Sequence, residues 1–234
     1  MSLTVTVYVP SGIVMAADSR MSALRSEERE LDGKKTTLQQ QIVLSDSAYK
    51  ILPLDRAGLG IAVYDSLIVD NQPIESHVQR FETEVLEEGD DIDAVTDKFM
   101  AYFHERYPSV PVGMHVAGYR TQGKARLPVV LVGHTVRETV VRRVNLNDQG
   151  DLQFGVVRAG DTAIVNRLIN KATLPLFAAM PLQDAIDYAV HLIRTTIETM
   201  RFEPRFPSVG GPIDVLVIEP DGMRWVQRKE LRAP

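Results

Sequence analysis

The residue of this chain best suited to nucleophilic chemistry is Ser2, which opens an alternating strand pattern of threonines and valines. Once Met1 is removed, Ser2 carries a hydroxyl and a free α-amine on the same Cα atom. Because that amine titrates near ~8, it can act as the general base for the hydroxyl at neutral pH. Chain termini usually fray, so a strand pattern that begins at the terminus is further support for a catalytic role of Ser2. The pattern therefore indicates an N-terminal serine nucleophile.

Two charged residues in apolar surroundings are the candidates for activating that serine. Asp18 ends an apolar strand, and Lys50 lies between a tyrosine and an Ile-Leu pair, so we expect both side chains to be drawn inward. A buried carboxylate needs partners, and an ammonium beside a serine favours the alkoxide and lowers the pKa of the amine. A purely structural ion pair is the alternative. We expect Ser19 and Arg20 to orient Asp18 rather than to touch substrate.

Composition excludes several other kinds of site. The 234-residue chain carries a net charge of −5, which argues against nucleic acid or an anionic membrane surface as a partner. It contains no cysteine, so disulfides, thiolate metal sites and thiol catalysis are excluded. Its five histidines are scattered singly, and we expect neither a metal nor a cofactor. Without a signal-peptide pattern or an apolar run of ~20 residues, we expect a cytoplasmic protein.

Hydrophobic periodicity predicts blocks of strands separated by pairs of helices. The predicted strands cover residues 4–9, 13–17, 42–44, 49–54, 58–64, 113–120, 128–135, 139–144, 152–157, 213–218 and 223–227. The predicted helices cover residues 73–88, 91–107, 161–174 and 181–200, with Asp90 or Asp91 capping the second and Pro181 starting the last. The polar segment from Arg20 to Gln41 keeps no period, which predicts a long exposed loop.

The order of these elements does not suit alternating βαβ crossovers. It suits two antiparallel sheets stacked face to face with a helix pair on each outer side, which is a four-layer αββα sandwich of the α+β class. No repeat, linker or break in composition interrupts the chain, so we expect residues 1–234 to form a single domain.

Four sequence segments together resemble a known family. They are Gly12-Ile-Val-Met-Ala-Ala-Asp-Ser-Arg20, Tyr49-Lys-Ile-Leu-Pro53, Val116-Ala-Gly-Tyr119 and Val209-Gly-Gly-Pro-Ile-Asp214. With a serine sixteen residues before the aspartate of the first segment, they resemble the proteasome β-subunit family of N-terminal nucleophile hydrolases. The resemblance is greatest to the bacterial proteasome-like homologues.

The resemblance implies a function and an assembly. It implies that Ser2 is the nucleophile, that Asp18 and Lys50 support it, and that the bond cleaved is an amide in a peptide or an unfolded protein. It also implies a homo-oligomer closed into a ring or wound into a spiral. An unfoldase partner cannot be identified from the sequence.

Several departures from the family pattern affect the expected site. Where the family has a small residue and a glycine that supply a backbone oxyanion donor, this chain has Val63-Tyr64-Asp65. The backbone N–H survives, but a Tyr64 or Asp65 side chain narrows or charges the pocket. Before the Gly210-Gly211 pair the family has an Asp and a Ser that support the nucleophile. Only the serine has a counterpart in this chain, Ser208. Asp161 either takes the place of a supporting serine or caps a helix.

Three alternatives stay open. In the first, the chain is a catalytically silent homologue that forms rings or spirals. In the second, it is a small-molecule amidase or acylase on the same fold, because fold does not fix substrate. If Met-Ser-Leu is not part of the natural chain, Thr4 becomes the first residue and the candidate nucleophile.

Overall fold

Two five-stranded antiparallel sheets make up most of this computed structural model, which describes residues 2–31, 34–170 and 174–231. The strands are β1 (Leu3–Val9), β2 (Gly12–Asp18), β3 (Met21–Leu31), β4 (Lys34–Ser45), β5 (Ile51–Leu54), β6 (Leu59–Asp65), β7 (Ile68–Val69), β8 (Gln72–Pro73), β9 (Val112–Gln122), β10 (Ala125–His134), β11 (Glu138–Arg143), β12 (Gly155–Gly160), β13 (Ile213–Glu219) and β14 (Gly222–Gln227). The helices are α1 (Ile74–Glu84), α2 (Ile92–Arg106), α3 (Ala163–Leu168) and α4 (Leu182–Met200).

The strand order places the start of the chain inside the first sheet. That sheet runs β12-β1-β2-β13-β14, and the second sheet runs β11-β10-β9-β6-β5. Strand β1 is therefore hydrogen-bonded on both sides, to β12 and to β2. A strand paired on both edges does not fray, which accounts for the burial of every residue from Leu3 to Val9.

Three hydrophobic clusters of described residues hold the sheets and helices together. One joins the second sheet to α1 and α2 and includes Ile61, Phe81 and Phe99. Another joins the first sheet to α3 and α4 and includes Val5 and Ile193. The third draws on both sheets and contains Ile13, Met15, Ile51, Ala62 and Ala117. Both faces of β2 are thus covered, which explains why its sequence is apolar without alternation.

Most predicted elements are present, with shifted ends. Helix α2 starts after Asp91, whose side chain accepts a hydrogen bond from the Ala94 N–H at 2.9 Å, as predicted for its N-cap. Pro181 occupies the N-cap position of α4, one residue before the helix begins. Strand β12 lies three residues later than predicted, and α3 ends at Leu168. The end of the predicted third helix includes residues 171–173, which lie outside the described part.

The predicted loop between Arg20 and Gln41 is wrong. Residues 21–45 form a two-stranded antiparallel hairpin, β3 and β4, paired from Met21 opposite Ser45 to Leu31 opposite Lys34. Apolar residues along it are solvent-exposed, with Leu24 at 60% and Leu38 at 41% of full exposure. Met21 at the base of the hairpin packs against the cluster of the second sheet, whereas the exposed residues farther along show no alternation of apolar and polar residues.

Shortening this hairpin should leave the fold intact. If residues 25–40 are deleted and an Asn-Gly turn joins Leu24 to Gln41, the midpoint of thermal unfolding should move by less than about 3 °C, because the hairpin adds little buried apolar area. The core substitution Ile61→Ala serves as the comparison and should destabilise the protein by about 3 kcal/mol. A loss of stability in the shortened variant as large as that of Ile61→Ala would show that the hairpin supports the core.

Candidate functional site

The carboxylate of Asp18 is the centre of the candidate site. Its Oδ1 atom accepts hydrogen bonds from the Leu3 N–H at 2.8 Å and from the Lys50 ammonium at 2.6 Å. Its Oδ2 atom accepts from the N–H groups of Arg20 at 3.1 Å and Gly210 at 2.9 Å. Asp18 is 1% exposed, so these four donors replace the water that a carboxylate requires. The buried carboxylate thus connects the end of β2 to three other segments, at Leu3, Lys50 and Gly210.

The elements around Asp18 explain how it reaches these partners. Asp18 is the last residue of β2, which lies between β1 and β13 in the first sheet. Strand β1 brings Leu3 to one side, and the backbone of Ser19 donates to the Gly210 carbonyl at 3.0 Å on the other side. Lys50 comes from the second sheet, directly before β5. The site therefore lies where the ends of the two sheets meet.

Lys50 is a fully buried ammonium with one carboxylate partner in the described structure. The side chains of Lys50 and Asp18 are both 0% exposed. Burial lowers the pKa of Lys50, and the ion pair with Asp18 opposes that shift only in part. Because Leu3 and Lys50 donate to the same oxygen of Asp18, the ammonium is held beside the backbone that follows Ser2. A catalytic role for the pair stays a prediction.

Ser2 lies buried at the same end of the first sheet. It is 0% exposed, and its carbonyl accepts a hydrogen bond from the Asp161 N–H at 2.7 Å. Its hydroxyl has no hydrogen-bond partner in the described part of the chain. The same is true of Thr4, which is equally buried. Met1, whose removal the predicted chemistry requires, lies outside the described residues.

Gly160 allows the close contact between β12 and the start of β1. It pairs with Leu3, and its φ of +93° lies in the region that favours glycine. A Cβ atom at this position would stand 1.8 Å from the carbonyl oxygen of Ser2. Any side chain here would therefore displace Ser2, so Gly160 is part of the machinery that positions it. The sequence analysis did not single it out.

Asp161 and Ser208 contact each other, although 47 residues separate them. The Ser208 hydroxyl donates to Asp161 at 2.5 Å, and the Arg205 guanidinium donates to the same oxygen at 2.6 Å. Burial by itself raises the pKa of Asp161, but the bonds from Ser208 and Arg205 outweigh it and leave the pKa below its usual value. Thr162 occupies the N-cap position of α3 without a side-chain capping bond, and the Asp161 carboxylate accepts a hydrogen bond from the backbone of Ala163, the first residue of that helix. Arg205 was missed from the sequence.

Arg20 contacts Asp18 as expected, and it makes further contacts that the sequence did not indicate. Arg20 orients Asp18 through its backbone N–H, whereas its guanidinium makes two bonds to Asp46, at 2.7 and 2.9 Å, and one to the Pro207 carbonyl. The Ser19 hydroxyl is buried without a hydrogen-bond partner among the described residues. Arg20 thus fastens the segment before Lys50 to the segment before Gly210. The sequence analysis missed Asp46, although an arginine such as Arg20 directly after an apolar strand indicates a carboxylate partner.

Tyr64 and Asp65 end β6, where the expected oxyanion glycine is absent. The Tyr64 ring packs over Gly113, where a Cβ atom would come within 2.1 Å of it, and its centroid lies 5.8 Å from that of His115. Asp65 has a φ of 70°, accepts a hydrogen bond from His134 at 3.0 Å and forms an ion pair with Arg137 at 3.1 Å. These contacts hold the residue in a conformation that non-glycine residues rarely adopt.

His115 should make stability depend on pH. It is buried and bonded to the Thr6 hydroxyl at 3.1 Å, and burial lowers its pKa to about 4. The unfolded chain binds this proton near pH 6.5, before the folded chain does, so stability falls as pH drops from about 6.5 to about 4. The full penalty is about 3 kcal/mol. His115→Gln should remove this part of the pH dependence in urea unfolding, whereas the surface variant His104→Gln should keep it. Identical profiles for all three proteins would contradict the assignment.

The described residues contain no cluster of three or more His, Cys, Asp or Glu side chains that could hold a metal ion. None of the described helices is long and apolar enough to span a bilayer.

Comparison with known proteins supports the fold. No protein-family model matches the chain, and no curated protein matches it. Among solved structures, the Gly-1 mutant of Anbu from Hyphomicrobium sp. strain MC1 matches with a TM-score of 0.65 at 13% sequence identity. The match covers 98% of this chain and 86% of that one. At this identity the match shows a shared fold.

Proposed function

We propose that this protein is an N-terminal nucleophile hydrolase that cleaves amide bonds in peptides or unfolded proteins. The observation that carries the proposal is the shared Oδ1 atom of Asp18, which accepts from both the Leu3 N–H and the Lys50 ammonium. That arrangement holds a cation beside the residue that would open the chain once Met1 is removed. The proteasome-like fold is consistent with this chemistry, and fold by itself does not establish it.

The proposed reaction has two steps. The α-amine of Ser2 takes the hydroxyl proton as the hydroxyl oxygen attacks the substrate carbonyl, and Lys50 stabilises the developing negative charge. The amine then gives that proton to the leaving nitrogen, so the amide bond breaks and an ester to Ser2 remains. A water molecule, deprotonated by the same amine, hydrolyses the ester and restores the serine. Asp18 holds the ammonium in place throughout.

The other assignments in the proposal concern architecture. We propose that the three hydrophobic clusters stack as helix pair, sheet, sheet and helix pair, giving a four-layer αββα sandwich that folds as one domain. The outer clusters support this by joining each sheet to a different pair of helices, and the third cluster draws on both sheets. The cytoplasmic location expected from the sequence belongs to the same proposal.

The direct test is mass spectrometry of the intact protein before and after reaction with a β-lactone, which acylates an activated hydroxyl. The expected result is a chain that begins at Ser2 and gains one acyl group on that residue. Retained Met1, or acylation elsewhere, would contradict the proposed nucleophile. A chain beginning at Thr4 and labelled there would instead support the alternative nucleophile, whose hydroxyl is equally buried and without a partner in the described part.

One observation favours a catalytically silent homologue. The Tyr64 ring lies in the segment where the family has a small residue and a glycine, and it fills space beside Gly113. Tyr64→Gly distinguishes the two functions. If the tyrosine only narrows the pocket of an active enzyme, the variant should accept larger substrates. If wild type and variant are both inert toward β-lactone and peptides, the silent function is correct.

We expect a homo-oligomer, because an open nucleophile would hydrolyse cellular proteins indiscriminately. Multi-angle light scattering at micromolar concentration should give a mass several times the 26.1 kDa of one chain. Head-to-tail contacts close into a ring or extend into a spiral according to the rotation between neighbours. A stable monomer would remove the argument for an enclosed site and would favour a small-molecule amidase or acylase.

A further inference from the structure

The hairpin of β3 and β4 is long for a sheet of two strands. Its strands have 11 and 12 residues, and in the described structure they pair with each other and with no third strand. Residues 24–28 of β3 and 37–40 of β4 are exposed. An isolated two-stranded hairpin is only marginally stable in water, and a further strand or a packed element stabilises it. The described part of one chain does not supply that element along the exposed part of the hairpin.

The two outer edges of the hairpin differ in sequence. Five of the eleven residues of β3 are charged, whereas β4 carries no charged residue, proline or glycine after Lys34 and Lys35. Charged residues and proline are what keep an edge strand from pairing with a strand of another molecule. Alternate residues of an antiparallel strand direct their N–H and C=O groups away from the existing partner. The outer edge of β4 is therefore open to a further strand, and its sequence does not oppose one.

The sequence of β4 is complementary to itself. When two copies of β4 are aligned antiparallel about a two-fold axis at Gln40, Leu38 of one copy lies opposite the partner's Ile42. In the same register Thr37 lies opposite the partner's Val43. Such pairs of branched side chains stabilise antiparallel strands, whereas like charges opposite each other destabilise them. A two-fold contact places Gln40 opposite its own copy, and an uncharged amide is tolerated there.

We propose that two copies of this chain pair through the outer edges of their β4 strands. The result is a four-stranded antiparallel sheet in the order β3-β4-β4-β3. Both outer edges of that sheet are β3, whose charged residues oppose further pairing, so the contact ends at two copies and does not extend into a fibre. This contact is two-fold, which distinguishes it from the head-to-tail contacts of a ring or a spiral. It does not depend on the proposed hydrolysis.

Disulfide cross-linking tests the position of the axis. The chain contains no cysteine, so Gln40→Cys introduces its one thiol. Opposite residues of antiparallel strands have Cα atoms ~4.5–5.5 Å apart, which a disulfide can span. Mild oxidation should therefore convert most of Gln40→Cys into a linked dimer. Arg25→Cys is the matched control, because Arg25 pairs with Gln40 inside the hairpin and is also exposed, but lies on an outer strand of the proposed sheet.

The control should stay unlinked under the same conditions. Equal cross-linking of Gln40→Cys and Arg25→Cys would show random collision of exposed thiols and would overturn the proposal. No cross-linking of Gln40→Cys would overturn it as well.

Charge reversal at the axis tests the contact in solution. Gln40→Lys places two ammonium groups opposite each other, and Gln40→Glu does the same with two carboxylates. Each variant should have half the assembly mass of the wild type in native mass spectrometry. An equimolar mixture of the two should regain the wild-type mass, because each lysine then faces a glutamate. The hairpin lies outside the core, so both variants should fold as the wild type does.

The remaining outcomes separate this contact from other uses of the same edge. Wild-type mass in both single variants would overturn the proposal. If that mass were accompanied by weaker peptide binding in Gln40→Lys, the edge would be receiving a strand of the substrate instead of a second copy. A linked dimer that hydrolyses no peptide would overturn the proposed function and leave this inference standing, since neither measurement requires hydrolysis.

Discussion

Ser2→Ala should abolish hydrolysis and leave the structure unchanged. The substitution removes the oxygen atom that is proposed to attack the substrate, whereas the backbone bonds of Ser2 and Leu3 to Asp161 and Asp18 stay in place. Since the hydroxyl has no hydrogen-bond partner in the described part of the chain, its loss breaks no contact there. Peptide cleavage followed by mass spectrometry should show no turnover above background, and thermal unfolding should match the wild type.

Two further variants test whether Ser2 or Thr4 supplies the attacking hydroxyl. Ser2→Thr keeps the hydroxyl on the same carbon and should retain activity. Thr4→Ala removes the other buried hydroxyl of β1 that has no partner in the described part and should keep most of it. Full activity in Ser2→Ala together with inactive Thr4→Ala would transfer the role to Thr4.

Lys50→Ala should reduce turnover by about two to three orders of magnitude per folded molecule. In the proposed reaction the ammonium stabilises charge that develops in the transition state, and among the described hydrogen-bond donors to Asp18 the others are backbone N–H groups. The variant should also lose about 3 kcal/mol of stability, because the carboxylate stays buried after its ion-pair partner is gone. Rates must therefore be divided by the folded fraction measured by circular dichroism.

The matched control for Lys50 is Lys229→Ala. Lys229 is the other buried lysine among the described residues, and it forms a buried ion pair with Asp214. Breaking that pair should cost a similar amount of stability and change the rate per folded molecule by less than about tenfold. If both variants lose stability and neither loses rate, the pair of Lys50 and Asp18 is structural.

Local patterns were sufficient to predict most of the elements. The alternation of Thr and Val in β1, the turn at Pro10 and the apolar spacing in α4 are each contained within one segment, so the sequence displays them directly. The burial of Lys50 was predictable for the same reason, because its neighbours in the chain are apolar. Tertiary context changed only the ends of these elements.

Contacts between distant segments could not be predicted in the same way. The bond from Ser208 to Asp161 spans 47 residues, and that from His134 to Asp65 spans 69. Nothing in the local sequence of either partner points to the other. The prediction for β3 and β4 failed for a different reason, since strands that are exposed over most of their length lack the period that identifies a strand. Both failures fall at or beside the candidate site.

The partners of Asp18 also set the order in which the site can be completed during synthesis. Gly210 lies 192 residues after Asp18, and ribosomes deliver the chain from its N-terminus. The β1–β2 hairpin therefore exists long before its carboxylate gains the last of its four donors. A nascent or truncated chain that stops before residue 208 also lacks the hydroxyl that binds Asp161. Under the proposed function, an emerging polypeptide therefore carries its nucleophile in an unfinished pocket until the last of these contacts forms.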